Sequence, residues 1–354
     1  MSRKSLIRLA AGMTAGLVLL AGCAVDEPGT AASGDPSEIS GSIQVACGAM
    51  EEVCAAWTKA FSEKTGVNAT FVRLSSGETV ARLAAAKNSP EFDVWHGGPV
   101  DGFGAAVQQD LLEKFVPPTA SEIPDKYKDP NGFWTGVYVG ALGFCSNEKI
   151  LGELGVDVPT SWDALLDPKL SRNVSTAHPS TSGTAFTTLW TQVTRLGSED
   201  AGLDYMRKLH NNVLQYTKSG TAPGQAAGRG EVAVGLVFSH DCVLYKERGM
   251  TDLVVSFPEE GTGYEIGGVA LVKGAKNPAA AKAYIDWTLT AEAQEIGPTV
   301  GSYQVHTNPN AATDDRMVKL DELKLVDYDF AKAAERKKEL TARFDAEIAA
   351  QPRE

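Results

Sequence analysis

Strand-patterned and helix-patterned segments alternate from residue 41 onward, and this alternation restricts the fold more than any other property of the chain. Ile43–Ala46 reads as a strand. Met50 to Lys64 places Val53, Trp57, Ala60 and Phe61 at helical spacing and stops at Gly66, a helix C-cap. Asn68–Leu74 is again strand-like, a helix is expected over about Glu78–Lys87, and Phe92–Trp95 forms the next strand. Alternation at this spacing predicts an α/β body built on a parallel sheet.

Two longer extended runs interrupt the pattern. Thr135–Ser146, with Gly136, Gly140 and Gly143, and Gly263–Val272 read as two crossings that divide the body into two lobes. Between them Val174–Ala177, Val213–Tyr216 and Val232–Phe238 are strand candidates separated by helices, so the insert has an α/β core of its own. Helices follow at Pro278–Thr288 and Phe330–Ala350, the last with Leu340, Phe344 and Ile348 on one face. The expected organisation is residues 41–137 as the first part of lobe one, 138–264 as lobe two, and 265–354 as the rest of lobe one with the C-terminal helices.

The start of the chain has a different character. Arg3, Lys4 and Arg8 precede an apolar run from Leu9 to Leu20 that is too short to span a bilayer. Leu20-Ala21-Gly22-Cys23 is similar to a bacterial lipoprotein processing site, which implies a signal peptide over 1–22 and a lipid-bearing Cys23. Residues 23–40, broken by Pro28, Gly29, Gly34 and Pro36, read as a flexible tether. The expected location is therefore extracytoplasmic: lipid-anchored to the outer face of the cell membrane, or periplasmic where an outer membrane is present.

The formal net charge is −12, and the 1–22 segment contributes three basic residues and no acid to it. A nucleic-acid partner is disfavoured, because phosphate backbones are held by basic surface and the longest basic run is Arg336-Lys337-Lys338. That triplet reads as a solvated helix face. Beyond Cys23 there are four cysteines, Cys47, Cys54, Cys145 and Cys242, in a compartment where disulfides persist. Three pairings are open, as are four buried thiols; Cys47–Cys54 with Cys145–Cys242 is favoured because the first pair flanks one strand-to-helix turn.

Candidate binding residues collect where strands hand over to helices. Ser75-Ser76-Gly77-Glu78 sets hydroxyls and unpaired N–H groups at a helix N-terminus, an anion-binding arrangement. Ser182-Gly183-Thr184 repeats it in the second lobe, and Lys218 and Ser219 could add to it. For each motif the alternative is plain N-capping. One in each lobe, at the C-terminal ends of strands, favours a ligand. His96-Gly97-Gly98, His240-Asp241, and the run Glu259–Glu265 with Glu260 and Tyr264 belong to the same rim, with turns or caps as the alternative.

Enzyme signatures are poor. Ser146-Asn147-Glu148-Lys149 and Lys64-Thr65-Gly66 match S-x-x-K and K-T-G, in the reverse of the useful order. There is no G-x-S-x-G or H-E-x-x-H, and the five histidines are scattered. No cofactor, metal centre or catalytic group is expected.

Phe92–Gly98, Ala177–Ala185, Leu209–Gly220, Gly235–Asp241 and Glu260–Leu271 together make the chain resemble an extracellular solute-binding protein of an ABC importer. The resemblance, over about residues 41–310, is to the ferric-type group with the type 2 periplasmic-binding fold. Iron(III)-binding members use a histidine near the first strand, an acid after the third and two adjacent tyrosines. Here the corresponding positions hold Ala46-Cys47-Gly48, His96-Gly97-Gly98 and His240-Asp241, which argues against iron. The Ser-His-Asp run with EGTGYE looks like the sugar-phosphate branch, with phosphonates and phosphoglycerate as further options. The resemblance implies that serine and threonine caps hold phosphate while His240, Asp241 and Glu260 meet hydroxyls. It also implies a monomeric, non-enzymatic receptor that closes by hinge bending and delivers its solute to permease subunits and their ATPase. The alternatives are an iron(III) receptor and an exported phosphate-ester hydrolase.

Overall fold

The computed structural model describes residues 39–353; Cys23, the leader and most of the tether lie outside the described residues. The first section runs β1 (Ser42–Cys47), α1 (Glu51–Thr65), β2 (Asn68–Arg73), α2 (Ser76–Ala85), β3 (Val94–Pro99), α3 (Val100–Gln108) and the short β4 (Leu112–Glu113). Then comes β5 (Thr135–Asn147), followed by α4 (Glu148–Leu154), β6 (Val174–Ala177), α5 (Gly183–Leu196), α6 (Glu199–His210) and β7 (Val213–Thr217). α7 (Ala222–Gly228), β8 (Val234–Phe238), α8 (Ser239–Glu247), β9 (Leu253–Ser256) and β10 (Tyr264–Val272) lead back. The chain finishes with α9 (Pro278–Thr288), the one-turn α10 (Ala291–Gln294) and α11 (Ile296–Thr299), β11 (Val305–His306) and α12 (Phe330–Phe344).

Local chemistry explains most boundaries. Gly66 ends α1 in the left-handed region, φ 77°. Ser75 and Glu78 form a capping box at the start of α2, and the Ser182 hydroxyl accepts from the Ala185 N–H at the start of α5.

The strand order is β2-β1-β3-β10-β5-β8-β6-β7. β1 pairs in parallel with β2 and β3, and β6 in parallel with β7 and β8, as the alternation predicts. The sheet as a whole is mixed, because the crossings run the other way: β10 is antiparallel to β3 and β5, and β5 to β8 and β9. β5 belongs to both halves. Thr135–Ala141 pairs with β10, and Leu142–Ser146 with β8, so the change of partner falls between Ala141 and Leu142. Gly263, whose carbonyl accepts from the Leu142 N–H, marks the return crossing. The result is a two-lobed α/β fold.

Cys47 is bonded to Cys54 and Cys145 to Cys242, with Cα separations of 6.1 and 5.5 Å. The first ties the end of β1 to α1, and the second ties β5 to α8. Chain-entropy reasoning gives the second, closing the longer loop of 97 residues, the larger effect on the unfolded ensemble.

The C-terminal section departs from the expected division. α12 does not simply belong to lobe one: Ala333, Leu340 and Phe344, with Ile348 after it, are buried in the same cluster as Leu142, Trp162, Phe186 and Leu236 of the second half. Its other flank meets α3, where Ala334 lies against Gly104. Nor is the basic triplet a solvated face. Lys337 is buried and bonds Asp101 at 2.6 Å, while Arg336 pairs with Glu199. The helix is thus core on one side and cross-link on the other, because a 3.6-residue period that buries Leu340 and Phe344 also turns Lys337 inward. Phe344→Ala, removing a fully buried ring, is expected to cost about 3–5 kcal/mol in denaturant unfolding. A cost under about 1 kcal/mol would mean the tail is dispensable to the core.

Candidate functional site

Between the two halves lies a cleft. One wall is supplied by the ends of β1, β2 and β3 with the start of α2: Gly48, Arg73, Ser75, Ser76 and Gly98. The opposite wall comes from the start of α5, the loop after β7, and α8: Ser182, Gly183, Thr184, Gly220, Thr221, His240 and Asp241. Every one of these positions sits at the C-terminal end of a strand, where open α/β sheets leave a crevice.

Three hydroxyls meet where backbone atoms make room. A Cβ at Gly98 or at Gly183 would stand 2.8 Å from Ser76 Oγ, and Gly98 also has φ +90°, so glycine is required twice over. A Cβ at Gly220 would overlap Thr184 Oγ1 and lie 2.9 Å from Ser182 Oγ. The N-termini of α2 and α5 therefore face the same space, and the first N–H groups of each helix have no intrahelical acceptor. Arg73 is the only Lys or Arg among the described lining residues. Its Nε donates to Ala49 O at 3.2 Å and its guanidinium reaches Ser219 Oγ at 3.4 Å. This end of the cleft suits an anion.

Alongside His240 and Asp241, the rest of the polar lining is Tyr138, Glu265 and Gln304. Gly98 N–H donates to the Tyr138 hydroxyl at 2.8 Å, and Gln304 Nε2 donates weakly to Glu265 Oε1 at 3.4 Å. At Gly140 a Cβ would sit 3.1 Å from both Glu265 Oε1 and the His240 ring, so the floor strand is bare where these groups converge. His240 Nδ1 and Asp241 Oδ1 are buried with no hydrogen-bond partner. Burial lowers His240 to about 3 and raises Asp241 to about 7, the latter opposed by the Arg73 charge. Burial and the neighbouring Asp241 also raise Glu265 well above the carboxylate range. Hence the 3.7 Å approach of His240 Nε2 to Asp241 is not an ion pair at neutral pH. What remains is a neutral imidazole and two carboxyls that burial holds partly or largely protonated, donors and acceptors suited to hydroxyls.

Of the residues expected from sequence, Ser75, Ser76, Gly98, Ser182, Gly183, Thr184, His240 and Asp241 line the cleft. Seven others do not. Gly77 donates its N–H to Thr181 O across the cleft at 3.0 Å, so it joins the two walls and is not free for an anion. His96 is turned away, stacked on Trp57 at 4.1 Å. Gly97 spends its carbonyl on Trp95 Nε1. Lys218 is exposed, and Ser219 lies in an outer groove against Arg73. Glu260 accepts from the Trp162 N–H at 3.0 Å, and Tyr264 packs on Phe330 and Tyr328.

Arg73, Tyr138, Thr221 and Gln304 were not legible as site residues, and Glu265 was flagged only as the last residue of the Glu259–Glu265 run, not singled out. Arg73 ends the strand just before the Ser75 motif, which was a usable signal: a cation beside an N-terminal hydroxyl pair. Glu265 lies five residues after Glu260, inside β10, and only the register of that strand against Gly140 turns it into the cleft.

The family described as bacterial extracellular solute-binding protein matches residues 89–334. An uncharacterized protein of Haemophilus influenzae is 40% identical over 329 residues, covering 90% of this chain and 94% of the relative. The putative 2-aminoethylphosphonate-binding periplasmic protein of Salmonella typhimurium is 28% identical over 243 residues, 66% of this chain and 68% of its own. Among solved structures, the periplasmic binding protein AfuA from Actinobacillus pleuropneumoniae, with exogenous fructose-6-phosphate bound, is similar at TM-score 0.85 and 39% identity. That likeness covers 88% of this chain and 99% of that one.

The buried acids have a consequence for stability. Asp241 and Glu265 hold protons more tightly folded than unfolded, so their contribution is complete at acid pH and is lost as pH rises through about 7 and beyond. His96 and His240, both lowered to about 3, act oppositely but only below their unfolded value, near 6.5. Above that value the acids alone decide the sign. The ligand-free protein is expected to lose Tm as pH rises from about 6.5 through about 7, and Glu265→Gln to flatten the fall. A Tm that rises over this window contradicts the assignment.

Proposed function

We propose, from the fact that this chain belongs to the family of bacterial extracellular solute-binding proteins, that it is the receptor of an ABC importer for a phosphorylated small organic molecule, a sugar phosphate or a phosphonate. Members of the family bind solutes and do not transform them. Exported location follows from the family, and the lipid on Cys23 would tether the receptor beside its permease and ATPase. The receptor acts as a monomer.

The observation that carries the ligand class is the meeting of Ser76, Ser182 and Thr184 with two helix N-termini in one glycine-lined space. A phosphoryl group there accepts from hydroxyls and N–H groups of both lobes, with Arg73 adding charge. Its organic part then faces Tyr138, His240, Asp241, Glu265 and Gln304, and hydroxyls would satisfy the unpartnered His240 Nδ1 and Asp241 Oδ1. The AfuA likeness supports a sugar phosphate, and the Salmonella relative supports the phosphonate option.

Capture proceeds by hinge closure at the two crossings, between Ala141 and Leu142 on β5 and near Gly263. The lobes are proposed as residues 41–137 with 265 onward, and 138–264, with α12 bridging them. Gly77 to Thr181, Arg73 to Ser219, and Glu52 to Arg248 at 2.9 Å are contacts made on closure.

Two outcomes test this. In a thermal-shift screen against sugar phosphates, phosphonates, phosphoglycerate, inorganic phosphate and ferric salts, a phosphorylated organic compound should raise Tm. The stabilisation should amount to about 3 kcal/mol at a hundredfold excess over Kd. A shift with ferric salt alone would overturn the ligand class. Gly77→Ala should leave the ligand-free Tm unchanged or slightly higher, since alanine suits a helix. Its Cβ would overlap Ser180 O in the closed form, so affinity should fall about a hundredfold or more. Equal affinity would mean closure does not bring α2 against Ser180.

A further inference from the structure

A second, smaller polar cavity lies directly behind the cleft and shares a wall with it, since Tyr138 and Gln304 line both. Trp57, His96, Thr288 and Ser302 complete most of it, and it has the size of a single water. His96 forms one side. Its ring is stacked on Trp57, and its Nδ1 meets the Tyr284 hydroxyl at 3.0 Å. Nε2 is buried without any hydrogen-bond partner. Burial keeps the imidazole neutral, so Nε2 carries either a single N–H or a single lone pair, and both are costly when unmet; His306, which lines the same cavity, also has both ring nitrogens without a partner.

On the other side the partition is held in place by polar contacts. Ser302 Oγ donates to Gln304 Oε1 at 2.8 Å, which turns Gln304 Nε2 toward Glu265 in the cleft. Tyr138 receives the Gly98 N–H and stacks on the same Trp57 that carries His96, centroids 6.4 Å apart. Anything that orders the cavity therefore orders two side chains that face the ligand.

We propose that this cavity is a water site, in which one ordered water anchored by His96 Nε2 backs the partition of Tyr138 and Gln304 and makes His96 a positioning residue for the cleft. Water fits where other occupants do not. It serves Nε2 in either tautomer, it is the right size, and it carries no charge into a neutral, buried surround. Such waters make about three hydrogen bonds to otherwise unmet groups and are costly to remove. The presence of the water stands independently of the proposed ligand; the positioning role rests on it.

The test is an atomic-resolution crystal structure of the protein and of His96→Phe and His96→Gln, with calorimetric titration of fructose 6-phosphate into each. Density within hydrogen-bond distance of Nε2 is expected in the wild type and its loss in His96→Phe, which keeps the stack on Trp57. Affinity should fall about tenfold in His96→Phe and recover to within about twofold in His96→Gln, whose amide reaches into the same space. A dry cavity in the wild type overturns the water site. Unchanged affinity in His96→Phe overturns the positioning role even where the water is seen. If the wild type binds no phosphorylated solute, the functional reading fails and the density alone decides the water site.

Discussion

A single strand carries the continuity of this molecule. β5 is buried along all thirteen residues and exchanges one set of partners for another between Ala141 and Leu142, so the two half-sheets share it instead of merely touching. Its glycines serve the site as well as the bend. Gly140 leaves space for Glu265 and His240, and Tyr138 on the same strand packs over Gly267, which has no side chain to oppose it. The hinge and the floor of the cleft are therefore one object. A change that stiffens or displaces β5 acts on closure and on recognition together.

The cleft solves an electrostatic problem set by composition. The chain is acidic overall, with net charge −12, and only Arg73 brings a cation among the described lining residues. Attraction for an anion must come from directed dipoles: two helix N-termini and three hydroxyls packed against glycines. Such groups act at short range and only in one geometry, so the anion site exists fully only when both lobes contribute. Selectivity follows from the same limitation, because a bulk positive field would take any anion and this arrangement takes one with the right shape. The neutral histidine and the two acids whose pKa burial raises extend the principle to the remainder of the proposed ligand.

α12 shows how a charged helix can be structural. Lys337 lies 2.6 Å from Asp101 with its ammonium 3.8 Å from the Phe186 ring centre, and the Tyr328 hydroxyl donates to the same carboxylate at 3.2 Å. Removing either member of a buried pair typically costs about 3–5 kcal/mol, because the other charge is left unmet. Asp101, Phe186 and Lys337 come from α3, α5 and α12, and Tyr328 from the segment before α12, so the pair registers elements of both halves against the tail.

The alternation of strand and helix, the capping serines and the two long extended runs were legible because each is a local property: apolar spacing, a hydroxyl before a helix, a glycine after one. Ser76, Ser182 and Thr184 could be named for the same reason. His96 was misplaced, Glu260 was favoured over Glu265 within the same flagged run, and Gln304 was missed, because burial in a strand does not say which face points at a ligand. A one-residue change of register reverses it. Sequence by itself determined the two-lobed α/β plan and the capped helix starts, since propensity and capping act over a few residues. Only the tertiary structure decided which hydroxyls meet, that Arg73 supplies the cation, that Gly77 joins the lobes, and that Lys337 is core. Each of these depends on distances between segments far apart in the chain, and those are set by sheet register and packing.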